Sequence, residues 1–205
     1  LHKTLTALRK EDVQHVIIEA SSHGLTQFRL DGINISVAAF TNLSREHLDY
    51  HGTIDNYFKA KLRLFEEVLN SKGVAVINSD DEMAKNIYVR MRELNIRVID
   101  FGENAKDIIL KHIEVVPAGQ RLFIRVFGQD FSLLLPLIGK FQTMNALCAL
   151  AIALGGGLDL EQATFSLSGL QGVKGRMELA ATTSSGSRVF VDYAHTPEAI
   201  ESVLR

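Results

Sequence analysis

Residues 74–102 read VAVINSDDEMAKNIYVRMRELNIRVIDFG. Val74–Ile77 is a short apolar run with β-branched residues. The Asn78-Ser-Asp-Asp segment after it is a turn and a helix cap, Met83–Leu94 repeats its apolar residues at helical spacing, and Arg97–Phe101 is a second apolar run stopped by Gly102. Strand, helix and strand within 29 residues cannot be an antiparallel hairpin. A connection of this length, helical in its middle, joins parallel neighbours.

The same rhythm extends upstream. Ser36–Phe40 reads as a buried strand and Ile54–Leu69 as a helix leading into Val74. Val16–Ile18 reads as another short strand, running into Glu19-Ala-Ser-Ser-His-Gly. Leu1–Lys10 has helical spacing. Downstream the period changes to two over residues 108–135. Arg121–Phe127 and Phe131–Leu135 pair as an antiparallel hairpin about Gly128-Gln129-Asp130. Phe141–Leu154 is a strongly apolar helix ended by three glycines, Leu160–Leu167 is a helix, Val189–Asp192 a strand and Pro197–Leu204 a helix. The expected fold class is therefore α/β, a mostly parallel sheet flanked by helices with a small antiparallel β part.

Composition narrows the function. At 205 residues with 46% hydrophobic residues, the chain can bury a sizeable core. A net charge of -2 gives no reason to expect nucleic acid or a membrane surface as partner. The single cysteine, Cys148, sits in an apolar helical run, which fits a reducing, cytoplasmic setting. No apolar stretch reaches the length of a membrane span, and no signal peptide opens the chain.

Four stretches carry candidate chemistry. In Glu19-Ala-Ser-Ser-His-Gly, an acid at the carboxyl end of a parallel strand faces the ligand crevice of open α/β sheets, and its hard oxygens suit Mg²⁺. A simple helix cap explains the serines equally well. In Thr41–Lys61, TNLSREHLDYHGTIDNYFKAK, Thr53 caps a helix whose residues Ile54, Tyr57, Phe58, Phe65 and Val68 form one apolar face. Lys61 lies on that face. Lys59, about 200° around the helix, faces water. A lysine on a buried stripe is costly unless paired, neutral or modified, although its stem can also snorkel to the rim. His47 and His51, four apart, invite a zinc reading, but no cysteine is near and the context is acidic. A histidine beside oxygen ligands fits better. The third stretch is Leu137–Asn145, LIGKFQTMN, where the Asn145 amide could hydrogen-bond a base or ribose, or Gln142, Thr143 and Asn145 could merely cap the helix. The fourth pairs Gly175-Arg-Met-Glu with Asp192-Tyr-Ala-His-Thr-Pro. Arg176 after glycine is a candidate phosphate clamp, with turn and cap roles as the plain alternative.

In this order, EASSHGLTQFRLDG, AAFTNLSREHLDYHGTIDNYFKAK, INSDD, LIGKFQTMNALCALA, GRME and VDYAHTPEA resemble the Mur ligase family over nearly the whole chain. The resemblance implies an ATP-dependent amide ligase. Within the family it points to ligases that add a diamino acid, meso-diaminopimelate or L-lysine, to UDP-N-acetylmuramoyl-L-alanyl-D-glutamate in peptidoglycan synthesis. ATP would phosphorylate the D-glutamate side-chain carboxylate, and the amine would attack the acyl phosphate.

By the same resemblance, Glu19 matches a magnesium-binding acid, His47 matches a ligand of a second magnesium, and Lys61 matches a carbamylated lysine that helps organise that second metal and the γ-phosphate. Ser21, Gln27 and Arg29 match residues that hold the muramoyl dipeptide. Asn145, Arg176 and Asp192 match positions around the nucleotide, with Tyr193 and His195 adjacent. Gln142 stands where related ligases often have asparagine. The family's GTNGKT-type phosphate loop and UDP-binding domain would precede Leu1, and its diamino-acid-selecting motif would follow Arg205. The chain is thus expected to be a fragment, with residues 1–174 a partial central ATP-binding domain and 175–205 the start of a ligase domain, inactive by itself. A folylpolyglutamate synthase on the same core, or a non-catalytic α/β scaffold whose polar clusters are caps and turns, are the competing readings.

Overall fold

The computed structural model describes residues 1–44 and 46–204, with the side chain of residue 198 left aside. The element order is α1 (His2–Lys10), α2 (Ser22–Thr26), β1 (Ile35–Phe40), α3 (Leu48–His51), α4 (Ile54–Arg63), β2 (Leu69–Asn78), α5 (Ala84–Glu93), β3 (Arg97–Gly102), β4 (Ile108–Val116), β5 (Gly119–Val126), β6 (Gln129–Leu135), α6 (Lys140–Gly155), α7 (Leu160–Ser166), β7 (Glu178–Thr182), β8 (Arg188–Val191) and α8 (Pro197–Leu204). A π-helical turn, Leu64–Val68, prolongs α4, and a 3-10 turn, Leu167–Gly169, follows α7.

Strands β1 to β6 form one sheet in chain order. Pairs β1/β2, β2/β3 and β3/β4 are parallel, while β4/β5 and β5/β6 are antiparallel. The period-two segment therefore extends the parallel sheet and does not fold apart from it. Its hairpin turn is tighter than the glycine spacing suggests. Val126 pairs with Gln129, leaving Phe127 and Gly128 as a two-residue loop with φ of 47° and 84°. Two consecutive positive φ values match the twist of the flanking strands, so Gln129 and Asp130 are drawn into β6.

Alternation along β2 sorts the core into two layers. Val74 and Val76 join Ile99, Phe101, Leu122 and Ile124 beneath α6. Ala75 and Ile77 face the other way, against Phe65 and Val68 of the π-turn and Ile87 and Met91 of α5. Burial on both faces explains why β2 is apolar without a polar side. Among the described residues no helix is long and apolar enough to cross a membrane.

One expected strand is absent. Val16–Ile18 has no regular secondary structure, and β1 pairs only with β2, so it is an edge of the sheet. Ile17 is 88% exposed, while Ile18 and Ala20 pack partly on the second core layer. A strand requires a neighbouring backbone to satisfy its N–H and C=O groups, and an apolar run cannot supply one. Glu19 accordingly follows an unpaired segment, not the end of a sheet strand. Strands β7 and β8 form a separate two-stranded antiparallel sheet.

Candidate functional site

The carboxyl ends of β1, β2 and β3 are tied together by the Asn78–Asp81 turn. Asn78 Nδ2 donates to Thr41 O at 2.7 Å, and Asp81 Oδ2 accepts from Leu43 N at 2.9 Å. Asp80 accepts from Glu103 N at 2.8 Å and Asn104 N at 2.9 Å. Gly102 permits that approach: at φ 139° a Cβ there would lie 2.6 Å from Asp80 Oδ2. The loop after β1 is thus fastened at the strand ends, where open α/β sheets take their ligands.

Lys61 enters this loop from α4. Its Nζ donates to Asn42 O at 3.1 Å and lies 5.1 Å from the Tyr57 ring centre and 6.0 Å from that of Phe40. Burial pushes its amine below the ordinary lysine range, against the opposing pull of Glu46 and Asp81. Lys59 is exposed, as the helical spacing requires.

His47 opens α3 with a left-handed backbone, φ 57° and ψ 23°. Its ring meets Tyr57 edge-on at 5.8 Å, so His47 and Lys61 share one aromatic neighbour. His51 is buried, stacks on Tyr57 at 5.0 Å and meets Ser22 Oγ at 2.9 Å through Nε2. Burial first, then the neighbouring His23 and His47, lowers its pKa. Neither the Ser22–His51 pair nor the central place of Tyr57 was legible beforehand. Tyr57 reads as one more apolar-face residue, and the pair is 29 residues apart. The four-residue spacing of the histidines was the one available signal.

Ser21 caps α2 by accepting from Gly24 N at 3.1 Å, which is the plain alternative for that residue. Gln27 Nε2 donates to Tyr50 Oη at 3.4 Å, and Arg29 is exposed on the same turn. The turn is bound to α4 by Arg63, which donates to Leu25 O at 2.8 Å, pairs with Asp31 at 2.7 Å and lies over the Phe28 ring. The Glu19 carboxylate has no hydrogen bond or ion pair with a described residue. Among the described residues no group of three or more His, Cys, Asp or Glu side chains is placed to hold a metal ion.

A cleft of about 520 Å³ gathers the third and fourth stretches. Gln142, Asn145, Val173, Arg176, Asp192 and Ala199 are among its lining residues. Asp192 accepts from Met177 N at 2.8 Å and Ala194 N at 2.7 Å. Tyr193 and His195 alternate in sequence with the lining residues Asp192 and Ala194: the Arg176 guanidinium lies 5.1 Å from the Tyr193 ring centre, and His195 Nδ1 is 2.9 Å from Tyr193 O. Gln142 is buried and within 3.4 Å of the Asn145 amide.

Polar side chains gathered at the carboxyl ends of parallel strands, with a cleft beside the helix that follows the sheet, define an α/β ligand-binding domain. The chain belongs to the Mur ligase family, since the sequence profile described as Mur ligase middle domain matches residues 1–153.

It is similar to UDP-N-acetylmuramoyl-L-alanyl-D-glutamate--2,6-diaminopimelate ligase of Zymomonas mobilis subsp. mobilis, at 43% identity over 197 residues, 96% of this chain and 40% of the relative. A ligase of the same name from Agrobacterium fabrum is 42% identical over 204 residues, 100% of this chain and 42% of the relative. A solved structure of a ligase of that name superimposes with a TM-score of 0.75 at 36% identity, over 91% of this chain and 38% of that one. The chain thus spans about 40% of the length of the relatives it matches.

Proposed function

We propose that the protein carrying this chain is an ATP-dependent amide ligase. It joins a diamino acid, diaminopimelate by the naming of the relatives, to the D-glutamate side chain of UDP-N-acetylmuramoyl-L-alanyl-D-glutamate in cytoplasmic peptidoglycan synthesis. The γ-phosphate passes to that carboxylate, and the diamino acid's amine displaces phosphate from the acyl phosphate, leaving amide, ADP and phosphate. The observation that carries the reading is the half-buried Lys61 sharing the Tyr57 ring with His47, in a chain whose relatives bear the ligase name over its full length.

Lys61 acts as a carbamate. CO₂ adds to a neutral amine, and the depressed pKa of Lys61 raises that fraction. As a free ammonium Lys61 donates only and repels a cation. As a carbamate it offers two hard oxygens, so the fit of magnesium depends on the modification. Glu19 would hold one magnesium, and His47 with the modified Lys61 a second; when bound these ions would offset charge on the phosphates.

Asn145 and Arg176 contact the nucleotide in the cleft, flanked by Tyr193 and His195. Asp192 positions the Arg176 turn through its two backbone bonds. Ser21, Gln27 and Arg29 hold the muramoyl dipeptide on the turn that Arg63 fastens to α4. Residues 1–174 belong to the ATP-binding domain and residues 175–205 to the ligase domain that follows it. The separate β7/β8 sheet supports that division.

The test is turnover by the full-length protein. ADP release should require the muramoyl dipeptide and a diamino acid together. Release that is indifferent to the dipeptide, or no release, rejects the reading.

A further inference from the structure

The Ser22–His51 contact joins two stretches that the proposed reaction must keep in register. Ser22 opens α2, the turn that carries Gln27 and Arg29 beyond it, and His51 closes α3. Both are buried, at 4% and 9% exposure. Between them, Ser22 Oγ and His51 Nε2 lie 2.9 Å apart.

The contact continues through aromatic rings. The His51 ring is stacked on Tyr57, 22° from parallel at 5.0 Å. His47 meets Tyr57 edge-on at 5.8 Å and Lys61 Nζ lies 5.1 Å from its centre. Tyr50 and His23 also meet the imidazole, at 4.9 Å and 5.6 Å; the hydrogen bond adds a fixed direction for Nε2 that an apolar pair of the same volume would lack. A buried polar pair is also costly to break on one side, which holds the arrangement to a single geometry.

We infer that Ser22 and His51 are positioning residues: their hydrogen bond sets the Tyr57 ring, and through it the placement of His47 and Lys61 relative to the turn bearing Ser21, Gln27 and Arg29. The inference rests on the roles proposed above for Lys61 and His47.

The test compares Ser22→Ala, His51→Phe and Ser22→Thr in the full-length protein. His51→Phe keeps a ring on Tyr57 and loses the bond; Ser22→Thr keeps the hydroxyl. Loss of a single geometry-setting bond should lower kcat about 10-fold in the first two, with KM for ATP within about 3-fold, and Ser22→Thr should recover most of the rate. A second readout does not depend on turnover. Competitive acetylation with acetic anhydride, on protein kept free of CO₂ so that Lys61 is a free amine and read by mass spectrometry, gives the reactivity of Lys61 relative to Lys59. That ratio should change at least about 3-fold in Ser22→Ala and His51→Phe and return in Ser22→Thr.

An unchanged ratio in folded Ser22→Ala overturns the inference, as does an unchanged kcat there. If His51→Phe does not fold, Ser22→Ala, which removes one hydroxyl, decides alone. If the wild-type protein shows no ligase turnover, the functional reading falls and the acetylation ratio still decides the pair.

Discussion

The backbone N–H of Met177 donates to Asp192 Oδ2 at 2.8 Å, so the residue after β8 holds the turn that presents Arg176. The other oxygen accepts from Ala194 N at 2.7 Å. Motif reading puts Asp192 at the nucleotide, but both of its oxygens are engaged by backbone. Each oxygen keeps further acceptor capacity, and Asp192 lines the cleft together with Arg176.

Asp192→Ala should leave two N–H groups without this acceptor and cost about 1–3 kcal/mol of stability, each bond involving a charged group. Nucleotide affinity should fall with it. Asp192→Asn keeps one carbonyl oxygen and should fall between. Thermal melting together with nucleotide titration checks the order; an Asp192→Ala protein with unchanged melting and binding contradicts it.

Lys61→Ala should remain folded and lose at least about 100-fold in kcat, because the proposed carbamate would serve the phosphoryl-transfer step more than substrate binding. Lys59→Ala should stay near wild type, since that side chain is exposed. A short carboxylic acid added to the Lys61→Ala assay should restore part of the rate. Equal behaviour of the two variants would remove Lys61 from the mechanism.

Asp107 supplies a pH dependence of opposite sign to the usual carboxylate. Burial raises its pKa, the nearby Asp100 adds to the rise, and the N–H of Asp100 opposes it. A carboxylate whose folded pKa exceeds its unfolded value of about 3.8 binds more protons when folded. Its contribution is therefore present at low pH and is lost as pH rises through the folded pKa. Asp107→Asn keeps an acceptor for Asp100 N, 3.1 Å away, and removes the charge. In urea titrations the variant should be at least as stable as wild type at pH 7, with the gap narrowing towards pH 4. A gap that widens on acidification refutes the assignment.

The sequence made the β-α-β core legible because burial on both faces of β2 leaves a continuous apolar run, and the α5 period leaves an unmistakable helix between two such runs. Lys61 was legible for a related reason: helical spacing alone separates it from Lys59. Val16–Ile18 misled because an apolar run reports burial preference and says nothing about whether a neighbouring backbone is available. The Asp192–Met177 bond, the histidine contacts of Tyr57 and the Ser22–His51 pair lie in tertiary geometry. Each joins segments whose spacing follows no period, so pattern reading had no means of finding them.

Arg63 makes the last prediction, because it fastens α4 to the turn after α2. Its side chain is 11% exposed and reaches Leu25 O, Asp31, Glu67 and the Phe28 face at once. The guanidinium fork serves several acceptors in fixed directions, which a lysine ammonium cannot reproduce. Arg63→Lys should therefore destabilise nearly as much as Arg63→Ala, by about 2 kcal/mol, a value set by losing charged hydrogen bonds in a mostly buried setting. Since the fastened turn bears Gln27 and Arg29, the KM for the muramoyl dipeptide should rise in both variants while the KM for ATP changes little. Urea unfolding and separate titrations of the two substrates check this. A lysine variant that matches wild type in stability and in dipeptide KM would show that charge alone, and not the fork, holds the turn.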